Sequence, residues 1–285
     1  MNKILVPTDL SATAEMGLKL AVEIAKRCGA TISLVNFTKH PYYQTFSATG
    51  DITSKTDPGA DFEAIEMLNV IKGRLDLYVT AYSSPEFAME VAVVDNEFKN
   101  GIDEYLKAEN IDLIVMGTSG EENAKEIFTG NHTEQAIRVS ACPVLSVRDG
   151  FNFDHFKTIV VGVSVITDNK LADGLKTLKS LAKCFDSHIH LVHVRDGAAD
   201  PTLLLDQYFT QMAQIAGLDK FTVRILEADE TAEGLSNYAH QVNAGMIAIM
   251  KNSKEGIFRI FSNRLSSRLV KEEGGPVVTI NLQNT

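Results

Sequence analysis

This 285-residue chain contains the same series of apolar, strand-like segments twice, once in each half. The run Asn2–Val6 near the start is repeated by Lys157–Val163. Pro143 near the end of the first half is repeated by Pro276, an offset of 276 − 143 = 133 residues. A self-similar pattern indicates a duplicated structural unit. We therefore expect two homologous domains: residues 1–149 and residues 150–285.

Within the first half, five apolar runs alternate with segments whose apolar residues recur at helical spacing. The expected strands are Lys3–Pro7, Thr31–Phe37, Phe87–Val94, Asp112–Met116 and Pro143–Val147. The expected helices lie within Met16–Cys28, Phe62–Val79, Gly101–Glu109 and Thr133–Ser140. Such alternation forms right-handed βαβ units on a parallel sheet, and continuous apolar runs indicate strands covered on both faces. The predicted fold class is α/β, with two tandem doubly wound domains, each a five-stranded parallel sheet with helices on both faces.

The charge of the chain argues against two classes of partner. It has 27 basic and 37 acidic residues, a formal net charge of −10. Nucleic acids and anionic membranes are bound through clustered Lys and Arg, so we expect neither partner. No apolar run approaches the roughly 20 residues that span a bilayer, and Met1–Val6 does not resemble a signal peptide. A cytoplasmic location is expected.

The three cysteines, Cys28, Cys142 and Cys184, are far apart in the sequence. Their number and spacing fit neither a disulfide framework nor a CxxC metal site. Each lies in an apolar stretch, where a small buried thiol is the common role. The sequence therefore predicts three separate buried thiols in a reducing compartment.

Candidate ligand-binding residues follow the expected strands, at the edge where parallel sheets bind ligands. Asp9 follows the first strand, Gly117 and Gly120 follow the fourth, and Gly130 and Asn131 precede the next helix. Glycines let the backbone approach a phosphate, and the unpaired amides of a helix N-terminus attract an anion. The Asp9 carboxylate suits a ribose hydroxyl or an adenine amine. The alternative interpretation is that the glycines only form turns and that Asp9 caps the following helix.

These segments resemble the universal stress proteins. The similar segments are Ile4–Ser11, Asp112–Gly120, Gly130 and Ala141–Val144, and the glycines match the family's ATP-binding motif G-x2-G-x9-G-[S/T]. The resemblance covers nearly the whole chain as two copies and implies the adenine nucleotide alpha hydrolase-like architecture. It assigns nucleotide contacts to ten residues: Pro7, Thr8, Asp9, Phe37, Met116, Gly117, Gly120, Gly130, Asn131 and His132. It also implies ATP as the ligand, with or without Mg²⁺.

The chain departs from the family pattern in both halves. In the first half Asn131 replaces a Ser or Thr, and Asp95 adds negative charge after the third strand. In the second half, the equivalents of the three motif glycines are Met250, Ser253 and Asn263, and Ser164 takes the place of Asp9. The second half is therefore expected to have lost its site and to serve as a built-in dimer partner for the first.

Two functions remain open at this point. The first is a stress-response regulatory protein that binds ATP or a related adenine nucleotide in its N-terminal domain, with at most slow hydrolysis. The second is an interaction or scaffold protein that binds no nucleotide. The sequence has no hydrolase elbow, P-loop or zinc-protease motif, and no Lys or Arg is evident at the expected site. Under either function, Tyr42–Asp61 could bind a partner or cover the site, and an unidentified protein partner or a homodimer fits the resemblance.

Three histidines on one expected strand raise the question of a metal site. His188 and His190 share a face of the strand, whereas His193 points to the other face, so one metal ion cannot easily bind all three. A zinc ion held by the first two and a carboxylate is the alternative to a structural role.

Overall fold

The computed structural model describes seven segments of the chain: residues 1–38, 58–118, 131–147, 156–166, 169–195, 202–251 and 275–283. The predicted domain boundary at residues 149 and 150 lies outside them and stays a prediction. So does the segment Tyr42–Asp61 for the most part, since the structure describes only the backbone of its last four residues.

The first half alternates strands and helices as the sequence predicts. Its elements are β1 (Lys3–Pro7), α1 (Ala12–Cys28), β2 (Thr31–Thr38), α2 (Pro58–Tyr82), β3 (Met89–Asp95), α3 (Phe98–Ala108), β4 (Leu113–Gly117), α4 (Asn131–Val139) and β5 (Val144–Val147). The helices begin up to four residues earlier than predicted, because apolar periodicity marks the buried turns of a helix and not its polar first turn.

The second half repeats this order. Its elements are β6 (Thr158–Gly162), α5 (Lys170–Phe185), β7 (His188–Arg195), α6 (Thr202–Ile215), β8 (Phe221–Glu227), α7 (Thr231–Gln241), β9 (Met246–Lys251) and β10 (Val277–Asn281). The register confirms the repeat: Ile4 pairs with Leu113 in the first half and Ile159 with Met246 in the second. The positions on the fourth strand of each half therefore differ by 246 − 113 = 133 residues, as predicted.

All ten strands form one continuous sheet in the order β3-β2-β1-β4-β5-β10-β9-β6-β7-β8. Within each half the neighbouring strands are parallel, which confirms the predicted five-stranded arrangement. The halves meet through an antiparallel pair in which Val277 lies opposite Ser146 and Thr279 opposite Val144. This join was not predicted. It satisfies the backbone donors and acceptors that each five-stranded sheet would expose at its edge.

Helices cover both faces of the sheet. Buried side chains of α1, α2, α5 and α6 form one core that runs through both halves. Those of α3, α4 and α7 form a second core on the opposite face. Among the described residues, no helix is both long and apolar enough to cross a membrane.

Helix α1 begins and ends where its capping residues predict. The Ser11 Oγ accepts a hydrogen bond of 3.1 Å from the Ala14 N–H, which satisfies one of the unpaired amides of the first turn. Gly29 has a left-handed φ of 66°, and its N–H donates to the Ala25 carbonyl at 2.7 Å. Helix α5 ends the same way at Asp186, with φ 52°.

Candidate nucleotide site

Several of the candidate residues that the structure describes lie at the edge where the strand order reverses. From β1 the chain adds β2 and β3 on one side and β4 and β5 on the other, so the carboxyl ends of β1 and β4 border a crevice. Since α4 connects two parallel strands, its N-terminus, at Asn131, also faces this edge. Pro7, Thr8, Met116 and Gly117 end the two strands or follow them directly.

The turn between β1 and α1 holds Asp9 outward. Leu10 adopts a left-handed backbone with φ 65°, which is unfavourable for a branched residue by roughly 1–2 kcal/mol. Thr8 Oγ1 accepts a hydrogen bond of 3.0 Å from the Leu10 N–H. Asp9 Oδ1 accepts one of 2.9 Å from the Ser11 N–H, and the Asp9 side chain is exposed. Helix α1 is therefore capped by Ser11 and not by Asp9, and the carboxylate is held at the crevice.

Two side chains that the sequence analysis missed support this turn. The Asn36 amide donates to the Thr8 carbonyl at 2.8 Å, and its Oδ1 is buried with no hydrogen-bond partner among the described residues. The Arg74 guanidinium, from α2, donates to the Leu10 carbonyl at 3.5 Å. Arg74 lies 64 residues from Leu10 in the sequence, so the sequence alone could not place a cation beside this turn.

Gly117 is required for the packing of α1 on β4. A Cβ at Gly117 would lie 1.7 Å from the Thr13 carbonyl oxygen, and one at Gly17 would lie 2.6 Å from the Gly117 nitrogen. The backbones of helix and strand thus touch directly. This contact accounts for the glycine at 117 without a ligand, so Gly117→Val would disrupt the fold and cannot serve as a test of binding.

Aromatic rings border the crevice on the α3 side. The ring of Phe37 makes edge contacts with Phe98 and Tyr105, at centroid distances of 5.3 and 6.1 Å. Phe98 also lies 4.4 Å from the ring of His132. Phe37 and His132, far apart in sequence, are therefore joined through Phe98 in one cluster.

Three predicted features are placed differently or lie outside the description. Gly120 and Gly130 fall outside the described residues. Asp95 ends β3, which is separated from β1 by β2, so it is about 10 Å from the β1 edge at ordinary strand spacing. It pairs in register with Thr38, the residue after Phe37, so its negative charge lies on the β2 side of this edge.

At the place of the direct α1–β4 contact, the second half has bulky side chains between α5 and the sheet. Met250, at the position of Gly117, is buried, and its sulfur lies 3.2 Å from where a Cβ on Gly174 would be. A Leu282 methyl group lies 2.4 Å from that same point. The hydroxyl of Tyr208 donates to the Ile166 carbonyl at 2.6 Å and accepts from its N–H at 3.2 Å, which ties down the loop after β6.

The histidines of β7 are engaged in hydrogen bonds. His188 Nε2 lies 2.8 Å from Thr222 Oγ1, and His190 Nδ1 lies 2.9 Å from the Tyr238 hydroxyl. His193 donates from Nδ1 to the Val163 carbonyl, at 2.9 Å, on the other face, as predicted. Burial, with the nearby charges of His188 and Arg224, lowers the pKa of His190. The part of the chain that the structure describes contains no cluster of three metal-ligating side chains.

A model of the universal stress protein family matches residues 1–148. The chain belongs to the universal stress protein family. The relatives include the universal stress protein YxiE of Bacillus subtilis, 28% identical over 152 residues that make up 52% of this chain and 99% of YxiE. The universal stress protein MJ0531 of Methanocaldococcus jannaschii is 27% identical over 149 residues, 52% of this chain and 82% of its own length.

The two-domain fold has a counterpart among solved structures of the family. A universal stress protein from Archaeoglobus fulgidus DSM 4304 superposes on 98% of this chain and 96% of its own, with a TM-score of 0.66 and 18% identity. This likeness covers both halves and shows that they share the fold of a universal stress protein.

Proposed function

We propose that the N-terminal half of this universal stress protein binds ATP or a related adenine nucleotide at the crevice between β1 and β4, and that the protein acts as a nucleotide-dependent regulator. The observation that carries the proposal is the exposed Asp9 carboxylate, held by the left-handed turn at Leu10 beside the ends of β1 and β4. A strained backbone of this kind persists only where the surrounding contacts hold it in place. Such strained residues are common at ligand sites.

The groups at this edge suit different parts of a nucleotide: some would bind the ribose and others the phosphates. Asp9 would accept hydrogen bonds from the ribose hydroxyls, beside the backbone of Phe37. The first amides of α4, from Asn131 onward, would bind the phosphates together with Gly120 and Gly130. Arg74 adds a positive charge beside the turn and would draw the phosphates towards α1.

The C-terminal half is proposed to be the built-in partner and not a second site. Met250 and Leu282 occupy the space beside Gly174, and Tyr208 closes the loop after β6. Since the second half has Met250 and Ser164 at the positions of Gly117 and Asp9, we expect the chain to bind a single nucleotide.

Calorimetric titration of the full chain with ATP and with ADP, in the presence and absence of Mg²⁺, tests the proposal. We expect one saturable site. Asp9→Ala should weaken binding about ten-fold or more, since a hydrogen bond to a charged group contributes about 1.5–3 kcal/mol and 1.4 kcal/mol is a factor of ten. Ser164→Ala, at the equivalent exposed position of the second half, is the matched control and should leave the affinity unchanged.

The outcomes separate the two candidate functions. Saturable binding that is insensitive to Asp9→Ala would place the nucleotide elsewhere. No binding of ATP or ADP by the folded chain would favour the scaffold function, in which the glycines serve only for packing, as Gly117 does against Thr13.

A further inference from the structure

Helices α1 and α5 pack against each other, and Arg27 in the last turn of α1 contacts Phe185 at the end of α5. The strand order reads as one half followed by its reverse around the antiparallel β5–β10 pair, which is the arrangement of a pseudo-twofold axis. The C-caps Gly29 and Asp186 are equivalent, with an offset of 186 − 29 = 157. Residues 27 and 28 of α1 therefore correspond to residues 184 and 185 of α5.

This symmetry places two cysteines together. At a twofold contact, a residue i that meets j on the other unit implies that j meets i. The Arg27 guanidinium lies 5.2 Å from the centre of the Phe185 ring. The mirrored contact brings Cys28 beside Cys184, close enough for each thiol to shift the pKa of the other. Each sulfur donates its own hydrogen bond within its helix, Cys28 to the Ile24 carbonyl at 3.0 Å and Cys184 to the Ser180 carbonyl at 3.3 Å.

The pair has the exposure and chemistry of a reactive dithiol. Both side chains are only partly buried, contrary to the sequence expectation of separate buried thiols. The neighbouring Cys184 thiol lowers the pKa of Cys28 to about 7, and the Cys28 thiol in turn raises the pKa of Cys184. A thiolate is the nucleophilic form of cysteine. Burial raises the pKa of the third thiol, Cys142, to about 11, which makes it an internal control.

We propose that Cys28 and Cys184 are a peroxide-reactive pair whose oxidation forms a disulfide between the two halves of the chain. Helices packed at axial distances of 8–10 Å bring facing Cα atoms to roughly 4–6 Å, which is the span of a disulfide. The bond would fix α1 to α5 at their ends.

The reaction balances with hydrogen peroxide as the oxidant. The Cys28 thiolate attacks one peroxide oxygen, the O–O bond breaks, and the hydroxide released takes a proton to give water and Cys28 sulfenic acid. The Cys184 sulfur then attacks the Cys28 sulfur, the S–S bond forms, and the S–O bond breaks to release a second water. The two thiols supply the two electrons that reduce the peroxide.

Treating the reduced full chain with hydrogen peroxide tests the proposal. We expect the three free thiols of the sequence to fall to one, with a loss of about 2 Da in intact mass and a single cross-linked peptide that contains Cys28 and Cys184. The melting temperature should rise by about 5–10 °C, because the bond closes a very long loop, and dithiothreitol should reverse the rise.

Variants identify the pair. Cys142→Ser should leave the cross-link intact, whereas Cys28→Ser and Cys184→Ser should each abolish it. In Cys184→Ser, dimedone should trap the sulfenic acid on Cys28. Three titratable thiols after treatment, mass gains of about 16 or 32 Da without a cross-link, or a disulfide between two chains would each overturn the proposal.

Discussion

The side-chain amide of Asn36 donates a hydrogen bond of 2.8 Å to the Thr8 carbonyl and so ties the end of β2 to the turn that carries Asp9. The second half makes the equivalent bond with a different residue, His193, which donates to the Val163 carbonyl at 2.9 Å. The tie between second strand and first loop is therefore a feature of the fold, and the duplicated halves satisfy it with different chemistry.

Substitutions at Asn36 test whether the hydrogen bond to the Thr8 carbonyl stabilises the fold and whether histidine can replace asparagine as its donor. We expect Asn36→Val to lower the free energy of unfolding by about 1–2 kcal/mol, since it removes the donor to the buried Thr8 carbonyl. Asn36→His should retain most of the stability, because His193 fills this role in the other half. Urea unfolding of both variants is the measurement, and a valine variant as stable as the unmodified chain would contradict the assigned role.

Adding one methyl group at Gly117 should be costly. In Gly117→Ala the new Cβ would meet the Thr13 carbonyl oxygen at 1.7 Å, so α1 must shift, and we expect a loss of at least about 2 kcal/mol. Gly73→Ala is the matched control: it lies within α2, nothing lies within 4 Å of its Cβ position, and alanine should stabilise the helix by about 0.5–1 kcal/mol. Thermal unfolding distinguishes them, and equal melting temperatures would refute the packing argument.

The Tyr82–Glu15 hydrogen bond, which joins α2 to α1, should make stability depend on pH at both extremes. The bond from Tyr82 lowers the pKa of Glu15 below its ordinary value of 4.5. Its contribution is therefore complete above that value and is lost as the pH falls below it. Burial, together with this bond to Glu15, raises the pKa of Tyr82 from 10 to about 12, so stability is also lost as the pH rises through that window.

Tyr82→Phe should flatten both limbs of the stability profile, measured by urea unfolding between pH 3 and 11. Tyr78→Phe is the control, because the Tyr78 ring stacks on Tyr82 at 6.2 Å but the hydrogen bond to Glu15 belongs to Tyr82. If both phenylalanine variants behave alike, the bond to Glu15 is not the cause.

His190 should contribute a separate dependence near neutral pH. Burial lowers its pKa below the ordinary 6.5, so the unfolded chain takes up a proton first as the pH falls. Stability is therefore present above pH 6.5 and declines below it. His190→Ser should reduce this decline, and serine fits because Ser33 bonds to Tyr105 at 2.6 Å at the equivalent place in the first half. Unfolding midpoints at pH 7.5 and 5.5 test this, and an unchanged difference would exclude His190 as the source.

The sequence alone determined the fold class and the duplication. Strand and helix periodicities are local properties, and the offset of 133 residues correctly predicted that Met250 stands at the position of Gly117. For Asp9, the sequence predicted only that the residue follows β1, and not the hydrogen bonds that hold its carboxylate.

Only the tertiary structure decided the features that depend on contacts between distant segments. The left-handed backbone at Leu10, the approach of Arg74 and the meeting of Cys28 with Cys184 leave no local pattern in the sequence. The β5–β10 join likewise has no local pattern, since either edge could pair through backbone groups that every residue carries. Periodicity reports which face of an element is buried, whereas the identity of the group that buries it is fixed only when the whole chain has folded.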